Sequence, residues 1–265
     1  MLKQRILTAL MLIPIALWGL FGLSGGAFAL FTGAIVVLAA WEWANLAGHV
    51  SFKSQVVWAL VFAAIMLSLW LTGLAHSVWL LGLAAPGWLL NLYWVLSYPE
   101  RQLHWSGRWR RMLMGAWVLL PCWTGFLLLR QSGAEWLLYV LLLVWTADTG
   151  AYFAGRAFGR RKLAPQVSPG KSWEGVWGGM LATVVLAVAF AVWQKLGLAA
   201  SLLLIVITLV IALISVLGDL FESMLKRVRG IKDSSALLPG HGGVLDRIDS
   251  LTAAVPMFAL LRLLL

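Results

Sequence analysis

"ASLLLIVITLVIALISVLGD", residues 200–219, is an apolar run that meets its first charge only at its last residue. Roughly 20 such residues are what a helix needs to cross the hydrocarbon core of a bilayer. A membrane barrel would instead show alternating segments of about ten residues. This stretch is continuous, so it reads as a transmembrane helix. Moving outward from it, runs of the same kind fall near 6–23, 27–47, 55–74, 78–98, 112–130, 135–155, 173–194, 199–218 and 250–265, about nine in all. The composition agrees: 62% hydrophobic residues and 11% charged ones, where a soluble domain carries about a quarter charged. The expectation is an all-α, polytopic integral membrane protein forming one transmembrane domain over 1–265. The lone Cys122 lies inside an apolar run, where it acts as a small buried hydrophobe and can form no intrachain disulfide.

The long polar gaps are 99–111, 156–172 and 219–249. With the N-terminus in the cytoplasm, seventeen of the twenty Lys and Arg residues fall on the cytoplasmic side, leaving Arg130, Lys195 and Arg262 opposite. Cationic loops set orientation in this sense, so all three gaps are expected to face the cytoplasm. Lys3 and Arg5 before the first apolar run, with "GGAFA" after it, also resemble a signal peptide. The run is longer than a usual signal core, and an uncleaved helix is expected.

Acidic residues near membrane depth are costly and tend to mark working sites. Asp148 and Asp219 both lie near the ends of their spans, whereas Glu42, between Trp41 and Trp43, reads more readily as structural. If the helix continues past Asp219, then Ser223, Lys226 and Arg227 share its face, because residues four, seven and eight apart stack on one stripe. Asp246 and Asp249, three apart at the start of the last span, project from one side and suit a hard cation such as Mg2+. Between them "PGHGG" supplies Gly240, Gly242 and Gly243, which let backbone N–H groups approach an anion. A soft-metal site is disfavoured, since Cys122 is remote and His241 stands alone.

The gap "DTGAYFAGRAFGRRKLAPQVSPGKSWEG", 148–175, repeats this pattern. Its "GKS" is not a P-loop, because position 165 is Pro where that motif needs Gly. What remains is a turn that places Lys171 just before a membrane helix, with Ser172 as N-cap and Glu174 in the first turn. Lys171 suits a phosphate as a point charge. "GVWGGM", 175–180, is expected to pack closely against a neighbouring helix.

The run from Ser223 to Asp249 resembles the characteristic motif of phosphatidate cytidylyltransferases (CDP-diacylglycerol synthases), on Ser223, Lys226, Arg227, Lys232, Asp233, His241, Gly242, Gly243, Asp246, Arg247 and Asp249. The 148–175 block is similar to that family's other motif, although members often have Lys or Thr where this chain has Gly170 and Ser172. The likeness is strong over about 145–265 and extends only to the hydrophobic outline before that. The catalytic half is therefore set at 135–265 and the weakly matched helices at 1–134.

The resemblance implies transfer of a cytidylyl group from CTP to phosphatidate, with release of pyrophosphate. It implies a multi-pass protein of the inner (plasma) membrane with a cytoplasmic active site, a homodimer, CTP, phosphatidate and membrane lipids as partners, and no nucleic acid. In this reading Asp219, Asp246 and Asp249 hold Mg2+ together with a second cation, and Asp148 joins them or orients Lys171. Lys171, Lys226, Arg227, Lys232 and Arg247 neutralise phosphates, Ser223 donates a hydrogen bond, and His241, Gly242, Gly243 and Glu174 shape the substrate pocket. A transporter would instead spread polar residues through the bilayer's depth and show an internal repeat. Other membrane phosphotransferases carry clustered-Asp motifs that are absent here.

Overall fold

The computed structural model describes residues 2–265, with side chains from Thr8 onward apart from Ala9; the basic residues Lys3 and Arg5 therefore lie outside the described side chains. The helices run α1 (Leu2–Gly22), α2 (Gly25–Leu46), α3 (Phe52–Leu71), α4 (Val78–Gly82), α5 (Ala84–Leu96), α6 (Arg108–Ser132), α7 (Ala134–Phe158), α8 (Trp173–Trp193), α9 (Leu198–Arg229) and α10 (Leu245–Leu261). Among the described residues seven are long and apolar enough to cross a membrane, with α4 and α5 together forming one of them. The expected first span coincides with α1, 21 residues long, part of which lies outside the described side chains; the last, α10, has 17 residues. The span expected at 78–98 is interrupted at Leu83. Pro86 lacks the N–H that would bond to Gly82 four residues back, which breaks the helix there.

α9 is a single helix of 32 residues. At 1.5 Å per residue it is about 48 Å long, against a hydrocarbon core of about 30 Å. Its last turns therefore carry Glu222, Ser223, Lys226 and Arg227 beyond the apolar run. Gly230 ends it at φ +73°, with the N–H groups of Gly230 and Ile231 bonding back to Arg227 and Lys226 carbonyls, a glycine cap of the Schellman kind.

α10 packs against α9, α6, α7, α2, α4 and α5. Its Ala253, Ala254, Val255 and Phe258 are wholly buried, so it forms the axis of the bundle. Small residues set the spacing around it. A Cβ on Gly218 would lie 2.6 Å from the Asp249 carbonyl, and one on Gly179 would lie 2.6 Å from the Ala147 carbonyl. α9 thus touches α10 through backbone, and α8 touches α7 the same way, as the 175–180 glycines led one to expect.

One element is not helical. The 156–172 gap holds a two-stranded antiparallel hairpin, β1 (Lys162–Ala164) and β2 (Ser168–Ser172). Pro165 presets the bend, and Val167 N–H closes it on the Ala164 carbonyl at 3.1 Å. Lys171 therefore sits on a strand, not in the expected turn.

Candidate active site

The stripe expected on α9 divides among three neighbours. Asp219 and Ser223 stay together, with the Ser223 hydroxyl donating to Asp219 Oδ1 at 3.0 Å. Lys171 on β2 reaches the other oxygen, its Nζ 2.6 Å from Asp219 Oδ2. Arg227 turns to the hairpin and donates through Nε to the Val167 carbonyl at 3.2 Å. Lys226 points inward, 2.7 Å from Asp246 Oδ1 on α10 and 3.2 Å from Glu222 Oε1 on its own helix. Glu222, Lys226 and Asp246 are all buried.

Asp246 anchors the polar loop. Its Oδ2 accepts from the Ser234 N–H and hydroxyl, each at 2.9 Å, and from the Gly243 N–H at 2.8 Å. Burial pushes this carboxyl up, but Lys226 and the Gly243 N–H outweigh it and hold it at about 2. The Gly243 N–H, expected to face a substrate anion, faces this carboxylate instead. Gly242 has φ +83°, and a Cβ there would lie 2.8 Å from Asp246 Oδ2, so glycine is required on both grounds.

Glu42, which reads as structural in the sequence, has no solvent exposure at all. It accepts from the N–H groups of Val244 (2.9 Å) and Leu245 (2.6 Å) and from the Ser235 hydroxyl (2.6 Å), with the Ser234 hydroxyl at 3.3 Å. A carboxylate on α2 thus satisfies the free N–H groups at the start of α10. Asn45 adds a donor to the Ser234 carbonyl at 3.0 Å. Sequence reasoning missed Ser234 and Glu222 as parts of this network; the only signal for Glu42 was an acid inside an otherwise apolar helix.

Beyond this scaffold lies a polar cavity of about 430 Å³, lined by Asp148, Arg156, Lys171, Ser172 and Asp219 among others. Asp148 lines this cavity and lies within electrostatic reach of Lys171, Asp219 and Arg247. Asp249 is within reach of Asp219 and Lys171, with Oδ1 accepting from the Ser250 N–H at 2.6 Å. Ser172 caps α8 through the Gly175 N–H at 3.2 Å. Glu174 pins the entry to the hairpin, accepting from the N–H groups of Arg160 (3.0 Å) and Arg161 (3.1 Å). Lys232 is exposed and away from these contacts. His241 donates its backbone N–H to the Leu238 carbonyl at 2.9 Å, while its ring Nδ1 is buried without a partner.

The three carboxylates expected to hold the metal lie on two packed helices, Asp219 on α9 and Asp246 and Asp249 on α10. Among the described residues no three His, Cys, Asp or Glu side chains are grouped to hold an ion. Both oxygens of Asp246 accept from protein donors, as do both oxygens of Asp219. The carboxylates that face the cavity are Asp148 and Asp219.

A second, apolar cavity of about 360 Å³ adjoins the polar one, and Val176 and Val216 line both. Its other walls include Val95, Leu96, Leu163, Leu213 and Leu217, from α5, the hairpin and α9.

The fold is thus a bundle of membrane-length helices with cations and carboxylates around a polar cavity, next to an apolar one. Over residues 3–265 the chain matches the model of the cytidylyltransferase family. It is 54% identical over 264 residues to a phosphatidate cytidylyltransferase of Pseudomonas aeruginosa, covering 98% of this chain and 97% of that one. It is 45% identical to the corresponding protein of Haemophilus influenzae, covering 98% of each. Half of the chain, 48%, aligns at 44% identity with a phosphatidate cytidylyltransferase of Bacillus subtilis. The chain belongs to the cytidylyltransferase family and is a nucleotidyltransferase.

Proposed function

We propose that the chain transfers the cytidylyl group of CTP to phosphatidate, forming CDP-diacylglycerol and pyrophosphate. The observation that carries this is the shared wall at Val176 and Val216, which sets a charged cavity against an apolar one. A phosphate group with acyl chains needs both, and the relatives named above act on such a substrate by their names.

In this reading an oxygen of the phosphatidate phosphate attacks the α-phosphorus of CTP. The bond from that phosphorus to the bridging oxygen breaks, and pyrophosphate leaves with the electron pair. The attacking phosphate is already anionic, so no side chain has to remove a proton. What the site supplies is position and charge. Lys171, Arg156 and Arg247 are placed to neutralise phosphate oxygens, and Ser223 keeps Asp219 oriented. Lys226 and Arg227, tied to Asp246 and Val167, act as positioning residues.

Mg2+ is bound in such sites by one or two carboxylates together with substrate phosphates. Asp148, which accepts no hydrogen bond among the described residues, and Asp219, which lines the same cavity, suit that role. Asp249, beside Asp219, is the remaining carboxylate for a second cation. Held by these carboxylates, a divalent ion would supply positive charge to offset that of the phosphates.

We further place this face in the cytoplasm of an inner-membrane protein. Seventeen of the twenty Lys and Arg fall on one side of the chain's alternation, and Thr8 near the start of α1 donates to the Pro239 carbonyl at 2.9 Å, so the N-terminal end and the polar loop share a face. The homodimer rests on family resemblance.

The test is the purified protein in detergent with phosphatidate, labelled CTP and Mg2+, followed by thin-layer separation. A nucleotide-linked lipid together with released pyrophosphate is expected. Substrate flux through liposomes without CTP-dependent pyrophosphate release would instead indicate a transporter.

A further inference from the structure

Four basic side chains gather at the end of α2, on the far side of α9 from the cavity. They are His49 in the loop after α2, Arg108 and Arg111 at the start of α6, and Arg229 at the last residue of α9. Arg111 Nη1 donates to the Leu46 carbonyl at 2.6 Å and Arg229 Nε to the Asn45 carbonyl at 3.1 Å. A Cβ on Gly48 would lie 3.3 Å from Arg111 Nη2 and 3.9 Å from Arg108 Nε, so both guanidinium groups cover that glycine. Arg111 is within electrostatic reach of Arg108 and Arg229, and His49 of Arg108.

No carboxylate answers them: none of the four ion pairs among the described residues includes any of the four. The nearest acid on α2, Glu42, is taken up by the loop before α10. Arg111 Nε and His49 Nε2 are buried without a partner. Capping of α2 accounts for only part of this. A helix C-terminus presents about half a negative charge, against three unit positive charges from the arginines. Each guanidinium has five N–H donors, and among the described residues only one donor of Arg111 and one of Arg229 is used.

Residues two apart on a helix point about 200° apart, and accordingly Arg227 binds the hairpin while Arg229 binds α2. The cluster is therefore separate from the cavity containing Lys171 and Asp219. Beside it Val50, Phe52 and Trp109 are 73%, 69% and 73% exposed, an apolar margin next to arginine forks suited to phosphate.

We propose that His49, Arg108, Arg111 and Arg229 form a second anion site that binds a phosphate group, and the exposed apolar margin favours the headgroup of an anionic membrane lipid over a free ion. The inference does not depend on the cytidylyltransferase reading.

Native mass spectrometry of the detergent-purified full chain tests it, with phosphatidylglycerol, phosphatidylcholine or inorganic phosphate added in separate arms. The variants are Arg108→Gln and Arg229→Gln, singly and together. The control is Arg101→Gln with Arg110→Gln, whose side chains bind Tyr93 and the His104 carbonyl in the neighbouring loop. Arg108 makes no hydrogen bond among the described residues, so Arg108→Gln should fold normally, as its unliganded melting temperature will report. Expected is preferential retention of phosphatidylglycerol by the wild type, reduced about tenfold in the double variant, as loss of charge-assisted hydrogen bonds implies, and unchanged in the control. Retention of inorganic phosphate alone, lost in the same variants, would support the site with a soluble ligand. Equal retention by wild type and double variant, or an equal loss in the control, would overturn it.

Discussion

Lys226 near the end of α9 and Asp246 at the start of α10 meet at 2.7 Å, both buried. Their contact ties the longest helix to the axial one and fixes the polar loop between them. A buried pair of this kind stabilises little relative to apolar packing, but losing one partner leaves a charge stranded.

Asp246→Asn is therefore expected to destabilise the protein by about 3 kcal/mol and to lower cytidylyl transfer through disorder of the loop. Raising Mg2+ should not restore the activity. Recovery of normal turnover at saturating Mg2+ would make Asp246 a metal ligand after all.

The pH response has a definite sign. The Asp246 carboxyl is held at about 2, below the ordinary 3.9 or so of an aspartate. Its contribution to stability is thus complete above about pH 4 and is lost as pH falls toward 2. The melting-temperature gap between wild type and Asp246→Asn should be constant from pH 7 to 5 and narrow below about 4. A gap that widens on acidification would contradict the assignment.

Lys171 should behave differently from Lys226. Its pair with Asp219 is half-buried, 24% and 29% exposed, so water screens it more than the buried Lys226–Asp246 pair. Lys171→Ala should lower the melting temperature less than Lys226→Ala does, while kcat/KM drops about 100-fold or more, as expected for loss of a preorganised charge at the reacting phosphates. Lys226→Ala should lower both. Matching stability losses in the two variants would refute the division of roles.

Glu42→Ala would leave the N–H groups of Val244 and Leu245 and the Ser235 hydroxyl unpaired, at about 1–3 kcal/mol for each buried one. Hydrogen exchange over 233–245 should accelerate in Glu42→Ala and less so in Glu42→Gln, which keeps an acceptor. Unaltered protection in the alanine variant would exclude the clamp.

Val216 lines both cavities. Val216→Trp should raise KM for long-chain phosphatidate several-fold while KM for CTP stays near the wild-type value. If the CTP constant rises alone, the apolar cavity is not the acyl site.

Much was legible in the residues themselves. Run length and composition determined a helical membrane protein, four-residue spacing put Ser223 and Asp219 on one helix face, and the glycines at 175–180 signalled a close helix contact. These depend on nearest neighbours along the chain, where helical geometry leaves little choice. Tertiary structure alone decided where each buried charge finds its counterpart. Glu42 meets Val244 across 202 positions of sequence, and Asp246 meets Lys226, Ser234 and Gly243, because a carboxylate's partners are set by which helix ends pack together and no local period encodes that choice.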